Sequence, residues 1–318
     1  MNGHPVAAIV IPVHATPPEF LREAIESVRA QRETRWELVI SLDAATRACG
    51  EVARDMAASD PARISVVGDV GGTPQRASAA RNRGAAGTRA PVLGFLDGDD
   101  VLDPDWLGER LALLEAHPEV AMVYGSSLYW YSWTGASRSN DFVPRLGVPP
   151  RAVQPPGSLI VPMLDGTASV PVPSSILVRR WAFDRIGGFD ETSRELYEDQ
   201  AFYASIGLRF PVIADDRVLD RYRQHPESMT ARFAAVRARQ ARWNHLAWLE
   251  REVERAGVRG EAIRRSLARE RWKLRLWIGV EVFRSCRRLV SRLKRASTSQ
   301  GSQGGPPQAA ETSTPTAS

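Results

Sequence analysis

Short apolar runs rich in Ile, Val and Leu alternate with helical patterns through the first 125 residues, and no other sequence feature limits the fold as strongly. Ala7-Ala8-Ile9-Val10-Ile11 reads as a buried strand stopped by Pro12. Pro17 to Ala30 follows as a helix, with prolines in its first turn and Phe20, Leu21, Ala24, Ile25 and Val28 on one face. Glu37 to Leu42, Thr46 to Ser59, Ile64 to Val67, Thr73 to Ala86 and Val92 to Leu96 continue as strand, helix, strand, helix, strand. Asp103-Pro104 marks the next helix start, with Asp as N-cap and Pro at the first helical position, and Val120 to Tyr124 opens a fifth strand. Such alternation predicts an α/β fold with a mostly parallel sheet and helices on both faces. Ligands on such sheets bind beyond the carboxyl ends of the strands. Here the ends of strands one, two and four are Pro12-Val13-His14, Asp43 and Asp97-Gly98-Asp99-Asp100.

Residues 132–173, rich in Pro, Gly and Ser, read as loops with short strands along one wall of a cleft. Ser175 to Val178 is a strand and Arg180 to Ile186 a helix closed by Gly187-Gly188. Tyr197 or Glu198 opens a helix running to Gly207, and Val212 to Val218 is another strand. From Thr230 to Arg295 the pattern is helical and arginine-rich, broken around Gly257 and Gly260. The expected division is an α/β domain over 1–230, a basic helical extension over 231–295 and a disordered tail over 296–318, whose Ser, Thr, Gln, Gly and Pro cannot bury enough surface to fold.

Composition closes off several classes. A chain of 318 residues buries an ample core without disulfides or metal. Its two cysteines, Cys49 and Cys286, rule out a disulfide framework and point to a reducing compartment. The N-terminus has no basic segment followed by an apolar one, and no window nears 18 uninterrupted apolar residues, so the expectation is a cytoplasmic, non-spanning protein. The net charge of +5 is local: residues 271–295 hold nine basic side chains against Glu281, which leaves the first 270 residues slightly acidic. Nucleic-acid binding by the whole chain loses its support there.

Asp97-Gly98-Asp99-Asp100 carries the sharpest chemical signal. In an extended chain Asp97 and Asp99 point the same way, roughly 6.5–7 Å apart at Cα. Crowded carboxylates call for solvent or a cation, and an oxygen donor set with open positions suits Mg²⁺ or Mn²⁺ bridging a substrate's phosphates. The plainer alternative is an acidic turn that caps the next helix. Glu198-Asp199 opens a helix, where a carboxylate either compensates the helix dipole or takes a proton from an alcohol. His225, after Arg221-Tyr222-Arg223-Gln224, is a polar loop residue or a ligand.

Taken in order, these segments resemble the inverting glycosyltransferase family 2, over roughly residues 5–230. The markers are Ile9-Val10-Ile11-Pro12-Val13-His14, Ser27-Val28-Arg29-Ala30-Gln31, Trp36-Glu37-Leu38-Val39-Ile40 before Asp43, Gly71-Gly72, and Ala80-Arg81-Asn82-Arg83-Gly84. They continue with Phe95 to Asp100, Pro104-Asp105-Trp106-Leu107, Gly187-Gly188-Phe189-Asp190-Glu191, Glu198-Asp199 and Tyr222-Arg223-Gln224-His225. The resemblance implies a Rossmann-like sheet of the GT-A type and a metal-assisted transfer of one sugar from a nucleotide-diphosphate donor to an acceptor hydroxyl of a glycan or lipid-linked glycan. It implies that Pro12, Val13, His14, Asp43, Arg81 and Asp97 meet the nucleotide sugar, that Asp97, Asp99 and His225 serve the metal, and that Asp199 is the base. Leu42 replaces the first of two acids usual at the second strand's end, and Ala15 stands where Asn is frequent. Both departures bear on the nucleotide base rather than the reaction.

Rival readings lack their signatures. A nicotinamide enzyme needs glycines after the first strand, where Pro12-Val13-His14-Ala15-Thr16 has none. A phosphate-loop NTPase needs Gly-Lys, but the lysines are Lys273 and Lys294 alone. A sugar nucleotidyltransferase would show a glycine-rich basic loop. An inactive, membrane-associated sugar-binding protein would keep the fold without releasing nucleotide diphosphate. Gln240-Ala241-Arg242-Trp243 is one residue short of a processive-synthase motif and reads as helix surface with Trp243 buried. Tyr129, Trp130, Tyr131 and Trp133 read either as an acceptor wall or as strand core. Trp272, Leu276, Phe283, Cys286, Val290 and Leu293 make a stripe flanked by arginines, which suits an anionic membrane surface or a packing seam.

Overall fold

The computed structural model describes residues 4–135, 139–192, 196–226 and 235–276. The chain divides into two units, Met1–Glu270 and Arg271–Ser318, and the first holds the whole sheet. The tail over 296–318, Thr230 and all of the basic segment beyond residue 276 lie outside the described residues.

The strands are β1 (Ala7–Val13), β2 (Trp36–Ala45), β3 (Ile64–Val70), β4 (Val92–Phe95), β5 (Val101–Leu102), β6 (Met122–Trp130), β7 (Val153–Gln154), β8 (Ile176–Arg179) and β9 (Val212–Arg223). They form one sheet in the order β3-β2-β1-β4-β8-β6-β9-β5, with β7 also paired to β9. The long pairings, β1 with β2, β2 with β3 and β6 with β9, are parallel. β8 enters antiparallel between β4 and β6 over three residues on each side. The main helices are α1 (Pro18–Arg29), α2 (Arg47–Ser59), α3 (Ala77–Ala86), α4 (Trp106–Ala116), α5 (Ile160–Asp165), α6 (Arg180–Ile186), α7 (Glu198–Arg209) and α8 (Ala235–Arg255).

Period-two side-chain alternation explains why both sheet faces are dry. Ile9, Ile11, Leu38 and Ile40 point to one face and pack with Leu21, Ile25, Val52 and Leu107 of α1, α2 and α4. Ala8, Val10, Val39 and Phe95 point to the other and pack with Ala85, Phe183, Phe202 and Ile206 of α3, α6 and α7.

Several expected boundaries move, each for a local reason. The helix expected from Thr73 begins only at Ala77, because Arg76 has φ +88° and the Asp43 carboxylate takes the N–H groups of Gln75 and Arg76. Asp103 is not the N-cap of α4. Its Oδ1 accepts the N–H of Asp105, a turn that delays the helix to Trp106. β6 and β9 run past Tyr124 and Val218 because each is the other's parallel partner as far as Trp130 and Arg223. Residues 160–165 form a helix where loops and short strands were expected. Trp243 is half-buried rather than buried.

The boundary expected at residue 230 also differs from the structure, since the compact unit runs to Glu270. α8 lies on α7: Glu252 pairs with Arg209 at 2.7 Å and accepts from Ser205 at 3.2 Å.

Candidate active site

The carboxyl ends of β1, β2 and β4 open on the same side of the sheet, and β6 and β9 deliver their own ends beside them. At the end of β1, Val13 is buried in the core. Pro12 is half-buried and His14 is exposed, with Nδ1 at 2.8 Å from the carbonyl of Asp43. Asp43 itself is buried. Its two oxygens accept from the backbone N–H groups of Gln75 (2.8 Å) and Arg76 (2.6 Å), with Arg83 at 3.6 Å. In this state it organises the loop after Gly71-Gly72.

Asp97 to Asp100 do not run extended. Asp100 N–H bonds the carbonyl of Asp97 at 3.0 Å, and this turn sends the three carboxylates to different partners. Asp97 accepts from Arg81 at 2.7 Å. Asp99 meets His225 Nε2 at 2.9 Å. Asp100 is fully buried, where its oxygens accept from the Ser174 hydroxyl (2.5 Å) and the Arg223 backbone N–H (2.9 Å). Burial, with the charges of Asp99 and Asp97, pushes its carboxyl well above the usual carboxylate range. Asp100 therefore has a structural place under the turn, while Asp99 and His225 face each other above it.

Arg81 is the hinge of the arrangement. Its guanidinium is buried, bonds Asp97, lies 3.6 Å from Glu198 and sits 5.2 Å above the Phe189 ring. Burial opposes its charge, but Asp97 and Glu198 outweigh that and hold it protonated above its ordinary range. Across it, Asp199 occupies the first turn of α7, its Oδ1 accepting from the N–H of Gln200 at 2.7 Å. Desolvation first, then the neighbouring Glu198 charge, raise the Asp199 carboxyl to about 7, against the pull of Arg81. Tyr203, one turn along α7, is buried with no hydrogen-bond partner for its hydroxyl among the described residues.

Two residues without a role of their own in the sequence pattern hold this turn. Ser174 receives the Asp97 N–H and donates to Asp100. Arg223, 2% exposed, donates through Nε to the Asp99 carbonyl and through its guanidinium to Glu23, and is enclosed by the rings of Phe20, Trp130 and Trp133 at 4.2, 4.6 and 5.2 Å. Arg223 lies inside Tyr222-Arg223-Gln224-His225, so its position is legible in the sequence. Nothing local marks Ser174.

The aromatic segment that ends β6 and continues to Trp133 is neither strand core nor one flat wall. Trp130 and Trp133 turn to Arg223, and Trp133 Nε1 bonds the Gln224 carbonyl at 2.9 Å. Tyr129 turns the other way and stacks on Phe142 at 4.8 Å. Asp141 fixes that loop through the N–H groups of Tyr131 and Ser132, and leaves Phe142 48% exposed. Among the described residues no three His, Cys, Asp or Glu side chains converge on one point that would hold a cation, and no helix is long and apolar enough to cross a membrane.

Among proteins of known sequence, the chain is 33% identical over 125 residues to the O-antigen biosynthesis protein RfbC of Myxococcus xanthus, a match spanning 39% of this chain and 10% of that protein. The chain spans between 10% and 43% of the length of the curated relatives it matches. Among solved structures, Staphylococcus aureus TarS 1–349 in complex with UDP-GlcNAc superposes with a TM-score of 0.61 at 14% identity, over 83% of this chain and 71% of that one. The mannosyltransferase PcManGT from Pyrobaculum calidifontis, in complex with GDP-Man and Mn²⁺, does so with 0.57 at 16% identity, over 86% and 70%. At those identities the likeness is one of fold, the GT-A arrangement. The model of glycosyl transferase family 2 matches residues 8–187, which run from β1 through the Asp97–Asp100 turn to the glycine closing α6, and the chain belongs to that family.

Proposed function

We propose that this chain is a glycosyltransferase that moves one sugar from a nucleotide-diphosphate donor to an acceptor hydroxyl with inversion, Asp199 serving as general base. The observation that carries the reading is the placing of Asp199. It is a carboxyl raised to about 7, separated by the Arg81 cation from the Asp97–Asp100 turn. A base poised near neutrality both ionises and accepts a proton effectively at physiological pH.

In the step, the acceptor oxygen forms a bond to the anomeric carbon as its proton passes to Asp199. The bond from that carbon to the diphosphate oxygen breaks, and its electron pair leaves with the nucleoside diphosphate. Pro12, Val13, His14 and Asp43 lie toward the donor's nucleotide end. Asp97 and Arg81 lie toward the sugar.

Asp99 and His225 are the residues that would hold Mg²⁺ or Mn²⁺, a carboxylate and an imidazole 2.9 Å apart. When bound, such a cation neutralises the charge that grows on the leaving diphosphate. The acceptor is a glycan or lipid-linked glycan in polysaccharide assembly, meeting the exposed ring of Phe142 beside Tyr129.

The decisive experiment offers the purified chain a panel of nucleotide sugars with Mn²⁺ and scores nucleoside-diphosphate release, then repeats it with Asp199→Asn. Release by the native chain and its loss in the variant, with donor binding retained, is the expected result. Near-normal turnover by Asp199→Asn sinks the base assignment.

The basic side chains that flank the apolar stripe over 271–295 support reversible attachment to an anionic, cytoplasmic membrane face, where each basic residue adds about 1 kcal/mol. Flotation with anionic liposomes should recover the full chain and lose one ending at residue 270. Equal recovery refutes attachment.

A further inference from the structure

Asp199 reaches its place through one residue, and that residue is held by a different element. Tyr197 directly precedes α7. It adopts the left-handed conformation (φ +83°, ψ +13°) and makes no side-chain cap, yet its carbonyl accepts the helical bond from Ala201 at 2.9 Å. A bulky aromatic residue keeps such a conformation only where its surroundings over-determine it. Here the surroundings are α8. The Tyr197 ring stacks on the His245 imidazole at 5.0 Å and 22°, and His245 stacks in turn on Trp248 at 5.8 Å and 19°. The guanidinium of Arg242 lies 5.6 Å from the Tyr197 ring.

His245 is buried, and burial with the Arg242 charge pushes its pKa down to about 3, so the stack is between neutral rings. General packing of α8 is supplied by other residues, the buried Leu246, Leu249 and Val253 and the ion pair of Glu252 with Arg209. The ring stack adds a restraint specific to the residue from which the first turn of α7 starts.

We propose that His245 and Tyr197 are positioning residues, a ring clamp by which α8 fixes the first turn of α7 and holds Asp199 in its desolvated place. Among the described residues the groups facing Asp199 are Glu198, Arg81, Asp97, Tyr203, Tyr129 of β6 and the Gln200 N–H. None of them belongs to α8, and the Tyr197 stack is the contact that α8 makes with the residue from which α7 starts. The inference rests on the reading of Asp199 as the base only for its effect on turnover; its effect on the ionisation of Asp199 needs no substrate.

The test uses the full chain without substrate. His245→Ala removes the clamp, His245→Phe keeps an aromatic ring in the stack, and Tyr197→Gly takes the left-handed turn without strain but has no ring. Each is made with and without Asp199→Asn. The pH dependence of the thermal-midpoint difference within each pair reads the ionisation of Asp199.

With His245→Ala and Tyr197→Gly, the half-buried carboxyl is opened further to water, and its titration should fall by about one pH unit or more toward the ordinary range. With His245→Phe it should stay near that of the native chain. On the substrate side, His245→Ala should lower kcat about tenfold, with donor KM within about twofold. An unchanged titration in both His245→Ala and Tyr197→Gly overturns the clamp. Loss of turnover in Asp199→Asn is a separate measurement, so the clamp and the base assignment fail independently.

Discussion

Replacing Asp199 by Asn should disable the enzyme and stabilise it, and the size of the second effect follows from the site. In the folded chain the carboxyl titrates at about 7, against an ordinary 3.8. A folded pKa above the unfolded one contributes stability that is complete below the unfolded value and is lost as pH rises through the folded one. The native chain therefore gives up stability from about pH 4 to about pH 7, while the Asn variant, with no proton to lose, does not. The shift is about three units, and at ~1.4 kcal/mol each the full penalty is bounded near 4 kcal/mol. Asp199 is only half-buried and has Arg81 within its field, so about half of that bound is the working figure. For a unit this large, about 2 kcal/mol corresponds to a gain of roughly 4–8 °C. Differential scanning calorimetry of both proteins at about pH 4, 5.5 and 8.5 should show the Asn variant gaining on the native chain as pH rises. A midpoint difference that does not change with pH would mean that Asp199 ionises as an ordinary carboxylate, and the argument for its desolvation would fall.

Catalysis should depend on the same proton with the opposite consequence: kcat/KM for transfer rises with pH through about 7 as Asp199 becomes the free base, and a flat profile from pH 5 to 8 contradicts this. Asp99→Asn and His225→Ala should each weaken donor binding about 10- to 100-fold in the presence of Mn²⁺ and little in its absence, read by titration calorimetry. Ser174→Ala leaves the buried Asp100 carboxyl short of a donor and should cost about 1–3 kcal/mol in denaturant unfolding; a loss under about 0.5 kcal/mol would contradict the place given to Ser174. Phe142→Ala should raise acceptor KM roughly three- to tenfold while nucleoside-diphosphate release without acceptor is unchanged, and an unaltered acceptor KM would remove the ring from the acceptor wall.

The strands were legible because their signal is local. Ala7 to Ile11 or Val92 to Leu96 must be buried on both faces, and only a covered parallel sheet provides that. The ends of those strands then pointed to Asp43, Asp97 and Asp99 before any contact was known. Local reading failed where distant residues compete for a backbone group. Thr73 to Arg76 has no strong helix breaker beyond Pro74, and it stays out of α3 because Asp43, over 30 positions earlier, captures two of its N–H groups. Asp97 and Asp99 look equivalent in an extended chain, but the turn bond from Asp100 separates them, and Ser174, 77 positions after Asp97, fixes the turn. α8 read as an appendage because its arginines dominate its composition, whereas its apolar positions Leu246, Leu249 and Val253 show which side is buried.

The charge balance of the site says why a donor diphosphate would need a cation with it. Asp97, Asp99, Asp100, Glu198 and Asp199 gather around two buried guanidinium groups, Arg81 and Arg223. Each arginine is already engaged, Arg81 with Asp97 and Glu198, Arg223 with Glu23 and the Asp99 carbonyl. Raising Asp100 and Asp199 above the usual carboxylate range relieves part of the repulsion by letting protons remain, and leaves Asp97, Asp99 and Glu198 against those two cations. A diphosphate approaching this set adds two or more negative charges beside carboxylates that already engage Arg81 and Arg223. His225 supplies a positive charge only if protonated, and protonation would remove it as a ligand. A divalent ion held by Asp99 would offset part of that charge, while Arg81 bonds Asp97 beside Asp199. The division of labour among near-identical carboxylates is thus set by what each one touches: an arginine for Asp97, an imidazole for Asp99, a hydroxyl and an amide for Asp100, and the mouth of a helix for Asp199.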